Sequence, residues 1–188
     1  MPPIHGRGST LGALMLAMLL GACASLPPLE PRTASTAFTD TASTTLGRAV
    51  ARDAAAHPGK SGVFAVNVPT DAFAARVLLA NVAERSLDVQ YYLWHADQSG
   101  KLLFDALWRA AGRGVRVRLL LDDINTAGLD PTLAALDAHP NIEVRLYNPF
   151  ANRRMRGADL ASDFARLNRR MHNKAFTADD RVTIVGGR

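Results

Sequence analysis

The sequence contains few of the residues that hold a fold together through covalent bonds or metal ions. Cys23 is the single cysteine, so no disulfide can form within the chain. Histidines, carboxylates and this cysteine are nowhere grouped at the spacing of metal ligands, which is compatible with a protein that uses no metal and no other cofactor. Only Lys60, Lys101 and Lys174 among the 22 basic residues are lysines. The formal net charge of +5 suits an anionic partner such as phospholipid or nucleic acid, but the charge is spread along the chain, and a solubilising surface is the alternative.

The N-terminus has an apolar run too short to span a bilayer. Leu11–Leu20 has about half the length of a transmembrane helix and follows a basic residue, which is typical of a signal peptide. The run ends in LGAC at 20–23, which resembles the lipobox of bacterial lipoproteins. This resemblance implies a signal peptide of residues 1–22 and acylation of Cys23, with Ala24 favouring the outer membrane of the bacterial cell envelope. An ordinary secretory signal with an incidental cysteine is the alternative.

The composition of the chain changes near residue 60. Residues 23–60 are rich in Ala, Ser, Thr and Pro and predict a flexible tether, with a short helix near 46–56, whereas 61–188 predict a folded domain. Strand patterns in this domain lie at 63–68, 87–94, 115–123 and 142–150, with two more in the motif described next. Helix patterns lie at 72–86, 99–114, 128–139 and 159–170, the second having Leu103, Ala106, Leu107 and Ala110 on one face. This alternation predicts an α/β fold, with a mixed, mainly parallel sheet flanked by helices.

Residues 171–187, MHNKAFTADDRVTIVGG, combine residue types that suit a phosphodiester. On a strand, His172 and Lys174 would share one face, roughly 6.5–7 Å apart along it, which suits one phosphate group. Neutral imidazole can attack phosphorus, and the ammonium group offsets charge on the non-bridging oxygens. Asp179 falls at the turn between two strands, where its carboxylate could accept hydrogen bonds from nearby backbone amides and hold the geometry of the hairpin. Gly186–Gly187 let a ligand approach the backbone closely and leave N–H donors unobstructed.

The spacing HxKx4Dx6GG resembles the motif of the phospholipase D superfamily, although each of its residues taken alone has an ordinary structural interpretation. The resemblance extends over Val63–Arg188, through SLDVQYYLW, GVRVRLLLDD, HPNIEVRLYNPF and DFARLNRRMHNKAFTADD, and is closest to the lipoprotein-like C-type branch of bacterial cardiolipin synthases. It implies a phospholipase D-like fold in which His172 forms or assists a phosphohistidine intermediate, Lys174 binds the phosphate and Asp179 supports the hairpin. It also implies phosphatidylglycerol or a similar membrane phospholipid as substrate, and chemistry without a metal.

The sequence departs from the family pattern in two ways. The family carries two HxK motifs, one histidine acting as nucleophile and the other as general acid, whereas no other histidine here has a lysine two residues on. The family also continues past the glycine pair with an acidic segment that orients the histidine. We therefore expect the chain to be the first half of a two-repeat fold, incomplete at its C-terminus and inactive alone. The second HxK half-site would come from a missing C-terminal domain or from a dimer partner.

Several residues outside the motif have a structural interpretation beside a functional one. Asp122–Asp123 end an apolar strand, where α/β proteins place ligands, but helix capping or solvent exposure is favoured. Core packing is favoured for the aromatic residues of 91–94, and a loop position for His95. Arg169–Arg170 could contact an anionic headgroup or lie at a solvated helix end.

The leading prediction is a membrane-anchored phosphatidyltransferase of the cardiolipin-synthase type. With water as acceptor, the same first half-reaction would give a phospholipase D, and the sequence does not separate the two. A homodimeric nuclease with one motif per chain is a second hypothesis, although a lipid anchor favours lipid over nucleic acid. A catalytically inactive lipoprotein fragment is the third.

Overall fold

The described part of the chain forms a five-stranded mixed sheet. The structure is a computed structural model that describes Leu26, Pro28, Arg32 and 34–187. The strands are β1 (Ser86–Tyr91), β2 (Arg116–Asp122), β3 (Ile142–Tyr147), β4 (Lys174–Ala178) and β5 (Val182–Val185), in the order β3-β2-β1-β4-β5. Strands β1, β2 and β3 pair in parallel, whereas β4 pairs antiparallel with both β1 and β5. The predicted α/β fold with a mixed sheet, three of whose five strands are parallel, is confirmed.

Helices precede the first strand and connect the later ones, at the predicted places. They are α1 (Thr45–Ala56), α2 (Pro69–Val82), α3 (Gln98–Gly112), α4 (Asp130–Asp137), α5 (Arg156–Ser162) and α6 (Phe164–Leu167), with a 3₁₀ turn at Asp123–Asn125. The helix predicted at 159–170 is thus divided into two short ones. None of the helices in the described ranges is both long enough and apolar enough to cross a membrane.

The strand predicted at 63–68 is wrong. These residues are irregular, and Val63 and Phe64 are almost fully exposed. A short apolar run becomes a strand only where a neighbouring strand pairs with it and a core covers one face, and the sheet provides no such neighbour here. The apolar pattern alone was therefore misleading.

The core lies on the helix-covered face of the sheet. Alternate residues of β1 and β2 point into it, namely Leu87, Val89, Tyr91, Val117, Leu119 and Leu121, all of them buried. Helix α3 adds the apolar face that the sequence predicts, with Leu103, Ala106, Leu107 and Ala110 buried in the same cluster. This helix begins where the Asp97 side chain accepts the Gly100 N–H at 2.7 Å, and it ends before Gly114, which adopts φ +93°.

Residues near the start of the described chain cross the opposite, polar face of the sheet. The Arg118 guanidinium donates to the Ser35 carbonyl at 3.1 Å, and the Arg116 guanidinium lies 4.0 Å from the centre of the Phe38 ring. Burial there, followed by the charge of Arg118, lowers the pKa of Arg116. Part of the segment predicted as a tether, 23–60, thus contacts the sheet; the predicted domain boundaries themselves stay a prediction.

A separate compact unit contains residues 148–169. Its two ends are joined by Asn148, whose side-chain amide donates to the carbonyls of Arg166 at 2.7 Å and Arg169 at 2.8 Å. Inside the unit, the Asp159 carboxylate accepts the Asn152 N–H at 2.6 Å. These polar contacts hold two short helices and their loops together.

The ion pair between Arg32 and Asp137 predicts a stability that depends on acid pH. Asp137 accepts the Val144 N–H at 2.7 Å and pairs with Arg32 at 2.9 Å. Burial by itself raises the pKa of Asp137, but the hydrogen bonds from Arg32 and Val144 and the charge of Arg32 lower it below 3.8 overall. A carboxyl whose pKa is lower in the folded state stabilises the fold above its unfolded pKa, and this contribution disappears as the pH falls through the folded pKa.

Between about pH 5 and pH 3, the free energy of unfolding should therefore decrease more steeply in the wild type than in Asp137→Asn. Urea titrations at a series of pH values measure both slopes. High salt should reduce the difference, because both side chains are about one-third exposed. Equal slopes in the two proteins at low salt would contradict the prediction.

Candidate active site

The hairpin of β4 and β5 carries the predicted motif. Strand β4 lies antiparallel to β1, with Lys174 opposite Tyr91. The turn contains Asp179 and Asp180, both at φ +52° in the left-handed region. Aspartate tolerates this conformation better than most residues, because its short polar side chain can bond to nearby backbone. The two aspartates thus explain why the chain reverses so tightly at this point.

Asp179 anchors the hairpin to the loop that precedes β1. Its side chain is fully buried, and Oδ1 accepts the N–H groups of Arg85 at 2.8 Å and Ser86 at 3.0 Å. The Glu84 N–H donates to Oδ2 at 3.1 Å, and the Asp179 N–H donates to the Ser86 carbonyl at 2.8 Å. The carboxylate therefore accepts hydrogen bonds from backbone amides, as the sequence predicts. These amides belong to the residues just before and at the start of β1 and not to the hairpin itself.

His172 lies just before β4 rather than on it. The strand begins at Lys174, which corrects the prediction that both residues lie on a strand. Extended pairing continues as far as Asn173, whose carbonyl accepts the Tyr92 N–H at 2.9 Å. The exposed His172 ring stacks on Tyr92, with 4.3 Å between ring centres and 20° between planes. This stack holds the imidazole at the surface, where a substrate could reach it.

The segment that leads into His172 is anchored by Asp122. This carboxylate is fully buried at the end of β2, where it accepts the Met171 N–H at 2.7 Å and pairs with Arg170 at 2.9 Å. It also accepts the Ile124 N–H at 2.9 Å, which caps the 3₁₀ turn. Asp122 therefore caps a helical turn, as one of its predicted structural roles has it, and the alternative prediction that it is exposed to solvent is wrong. Arg170 is mostly buried in this pair and does not lie at a solvated helix end.

Replacing Asp122 with asparagine should destabilise the fold and loosen the approach to His172. The change removes the charge that pairs with Arg170 and one of the acceptor oxygens in a buried site, which costs about 1–3 kcal/mol. Urea unfolding measures this loss. The matched control is Asp105→Asn, which breaks the exposed pair of Asp105 with Arg109 and should cost no more than about 0.5 kcal/mol. An equal effect of the two substitutions would contradict the anchoring role of Asp122.

A surface cleft of about 260 Å³ contains part of the predicted site. Its lining residues are Tyr91, Leu93, His95, Asp97, Ser99, Lys174 and Gly187. His95 lies in a loop, as predicted, and also lines this cleft. His172 and Gly186 are not among the lining residues, although the Gly186 N–H donates to the Lys174 carbonyl at 2.9 Å. A larger cleft of about 400 Å³ contains no residue of the motif and lies beside Ser35 and Arg118.

The backbone conformation explains one glycine of the pair. Gly186 adopts φ +131°, a conformation that residues with a side chain rarely adopt. At both Gly186 and Gly187 a methyl group would meet open space, so neither glycine is required by packing. The space beside the pair is open to a ligand, which is compatible with the predicted close approach.

The remaining predictions have different outcomes. Tyr91 and Trp94 are buried core residues, as predicted, with Trp94 stacked on Phe104 at 4.6 Å. Tyr92 is only half-buried, and the sequence did not mark it as the ring beneath His172. Cys23, the predicted lipidation site, lies outside the described residues. Within the described ranges, no group of three or more His, Cys, Asp or Glu residues is arranged to hold a metal ion.

Residues 78–188 match the family model described as "Cardiolipin synthase, PLD-like domain". The chain therefore belongs to the phospholipase D-like family, and the resemblance given by its sequence is confirmed. It is 63% identical to cardiolipin synthase C of Escherichia coli (strain K12) over 132 residues, which is 70% of this chain and 28% of that protein. It is 31% identical to cardiolipin synthase B of Salmonella typhimurium over 105 residues, 56% of this chain and 24% of that protein. Among solved structures, NucT from Helicobacter pylori is 20% identical with a TM-score of 0.45, covering 62% of this chain and 65% of that one.

The chain thus spans about a quarter of the length of these two cardiolipin synthases. The matched part includes the whole HxKx4Dx6GG motif, from His172 to Gly187. The family relationship supports a phosphatidyltransferase-type domain.

Proposed function

We propose that the protein transfers phosphatidyl groups between membrane phospholipids, as a phosphatidyltransferase of the cardiolipin-synthase type. The observation that supports this most directly is the arrangement of the motif in a family-matched domain. Lys174 and Gly187 line one cleft, and His172 stands exposed two residues before β4. The buried Asp179 and Asp122 anchor the segments on either side of these residues.

In the first half-reaction, a ring nitrogen of His172 attacks the phosphorus of a phospholipid. A nitrogen–phosphorus bond forms as the bond between phosphorus and the headgroup oxygen breaks, and the departing alkoxide takes a proton from a general acid. Negative charge grows on the non-bridging oxygens, where the Lys174 ammonium stabilises it. The product is a phosphatidyl-histidine and a free headgroup alcohol.

In the second half-reaction, the hydroxyl oxygen of an acceptor lipid attacks the same phosphorus. The nitrogen–phosphorus bond breaks, the imidazole is restored, and the hydroxyl proton passes to the conjugate base of the general acid. With a phosphatidylglycerol hydroxyl as acceptor, the product is cardiolipin. The general acid is a second imidazole, supplied by a further HxK motif of a longer chain or by a dimer partner.

We also propose that acylated Cys23 anchors the protein to the cell envelope, on the outer membrane. Such an anchor keeps the domain near its phospholipid substrate. Two or more acyl chains hold a protein stably on a bilayer, whereas one chain binds only marginally. Mass spectrometry of the mature N-terminus measures the modification, and an unmodified Cys23 in protein isolated from membranes would contradict it.

A product analysis tests the function. Because the chain alone is expected to be inactive, the assay uses the form that also contains the second HxK half-site, either the longer chain or the dimer. This form is incubated with vesicles of phosphatidylglycerol and phosphatidylethanolamine, and the lipids are identified by mass spectrometry. We expect cardiolipin together with a released headgroup alcohol, and we expect neither product from the Lys174→Met variant. Phosphatidic acid as the main product would indicate a hydrolase instead, and salt-dependent cleavage of DNA would indicate a nuclease. No turnover of either substrate would support an inactive binding role.

The proposed second imidazole has its own test in the gene. Sequencing beyond codon 188 should show a reading frame that continues into an acidic segment and a second HxK motif. A stop codon at that position would require the second imidazole to come from another copy of the chain. Activity would then increase with the square of the protein concentration while most of the protein is still monomeric.

A further inference from the structure

The glycine pair of the motif is held by an arginine of helix α2. Arg76 is almost completely buried, at 1% exposure. Its Nε donates to the Tyr91 hydroxyl at 2.6 Å, its Nη1 to the Ala72 carbonyl at 2.5 Å and its Nη2 to the Gly186 carbonyl at 3.0 Å. All three acceptors are neutral. Within the described ranges, no carboxylate forms an ion pair with this buried guanidinium.

A buried cation bonded only to neutral oxygens is energetically costly, and proteins usually pair such charges. Arg113 forms similar hydrogen bonds without the energetic cost of burying its charge. Its guanidinium also donates to backbone carbonyls, of Ala80 at 2.7 Å and Ala83 at 3.3 Å, but Arg113 is exposed and its charge is solvated. The burial of Arg76 directly behind Tyr91, a wall of the cleft, therefore points to a role beyond hydrogen bonding.

The bond from Arg76 fixes the direction of the peptide group between Gly186 and Gly187. No described peptide bond is cis, and in a trans peptide the C=O and the following N–H point in opposite directions. Because the Gly186 carbonyl points inward to Arg76, the Gly187 N–H points away from it. Gly187 is exposed and lines the cleft with Lys174, and no hydrogen bond in the described part of the chain uses its N–H.

We propose that Arg76 is a positioning residue for anion binding at this cleft. It orients the 186–187 peptide so that the Gly187 N–H donates to a non-bridging oxygen of a phosphate group bound at Lys174. The guanidinium also polarises the amide to which it is bonded, which strengthens the N–H as a donor. Its buried positive charge adds to the attraction for the phosphate. This inference rests on the phosphatidyl transfer proposed above and assigns the phosphate of the phospholipid as the ligand of the Gly187 N–H.

The test is a titration of the ¹⁵N-labelled full chain, in detergent micelles, with inorganic phosphate. Resonances of the Gly187 amide and of the Lys174 side chain are followed by NMR. In the wild type, we expect the Gly187 amide proton to move downfield with the same dissociation constant as the Lys174 signal. In Arg76→Met, the Gly187 response should disappear and phosphate binding should weaken roughly tenfold, which is about 1.4 kcal/mol.

Two further variants separate charge, geometry and general loss of stability. Arg76→Lys keeps the positive charge but cannot bridge Tyr91 and Gly186, so it should recover part of the phosphate affinity and none of the Gly187 shift. Arg113→Met removes an arginine bonded to backbone carbonyls outside the cleft, and should leave both signals unchanged. Urea unfolding of every variant shows whether the fold is intact at the temperature of the titration.

The outcomes distinguish this inference from the proposed function. A Lys174 response without a Gly187 response in the wild type would overturn the role of the N–H and leave phosphate binding by the motif in place. No response of either residue would count against both. Equal weakening by Arg76→Met and Arg113→Met would reduce Arg76 to a support of the fold. The wild-type titration decides the N–H assignment even where Arg76→Met does not fold.

Discussion

In the protein with both HxK half-sites, substituting alanine for His172 is expected to reduce phosphatidyl transfer by on the order of 10⁴-fold or more, while the domain stays folded. The imidazole is the proposed nucleophile, and alanine has no group that could form the covalent intermediate. The substitution should cost only about 0.5–1.5 kcal/mol of stability, because the exposed ring makes a single aromatic stack, on Tyr92. Cardiolipin formation from labelled phosphatidylglycerol measures the rate, and urea unfolding measures the stability.

His139→Ala is the matched control for this substitution. The His139 ring also packs against one aromatic ring, that of Trp108 at 4.8 Å, but it belongs to neither the motif nor the cleft. The His139 ring also accepts the Asn141 N–H at 3.1 Å, so His139→Ala should lose at least as much stability as His172→Ala, and the two variants should differ in rate by several orders of magnitude. Cardiolipin synthesis by His172→Ala at a rate near that of His139→Ala would remove His172 from the chemistry.

Substituting alanine for Asp179 should give the largest loss of stability among single changes at the motif, about 3–5 kcal/mol. The change leaves the N–H groups of Glu84, Arg85 and Ser86 without their acceptor in a fully buried site. It also places alanine at φ +52°, which costs about 1–2 kcal/mol more than a right-handed conformation. Asp179→Asn should cost less, since its amide oxygen still accepts and asparagine tolerates the left-handed region.

Asp180→Ala separates the two causes of this loss. Asp180 has the same φ of +52°, but its carboxylate is only half-buried and accepts one amide, that of Phe38 at 3.0 Å. The conformational cost is therefore shared by the two variants, and the extra loss in Asp179→Ala reports the amides of 84–86. Equal free energies of unfolding would show that the turn conformation, and not the buried carboxylate, holds the hairpin.

Sequence patterns predicted the elements whose formation depends on neighbouring residues, and they failed for elements that depend on residues far away in the chain. Helix α3 was predictable because its cap, its apolar face and its terminal glycine all lie within the segment itself. The hairpin turn was predictable for the same reason, since aspartates at its corner favour the left-handed conformation. The run at 63–68 failed because a strand also needs a neighbour, and pairing is a property of the whole sheet.

The supporting residues of the site could not be predicted from their own surroundings. Asp122 accepts from Met171, 49 positions later in the chain, and Arg76 reaches Gly186 across 110 positions. Neither residue stands in an unusual local pattern, although Arg76 lies within a mostly apolar stretch of helix α2. The motif residues were visible because they are close in sequence, whereas the residues that orient them meet only in the folded sheet.

The two edge strands of the sheet differ in charge, and this difference favours the addition of a further strand at one edge over the other. Edge strand β3 carries an ion pair between Glu143 and Arg145, and charged side chains on an edge discourage pairing with a further strand. Edge strand β5 reads VTIV at 182–185, with no charge and with Val185 largely exposed. Any additional strand, from this polypeptide or from a second copy, would therefore be accepted beside β5, the strand that leads directly into the glycine pair.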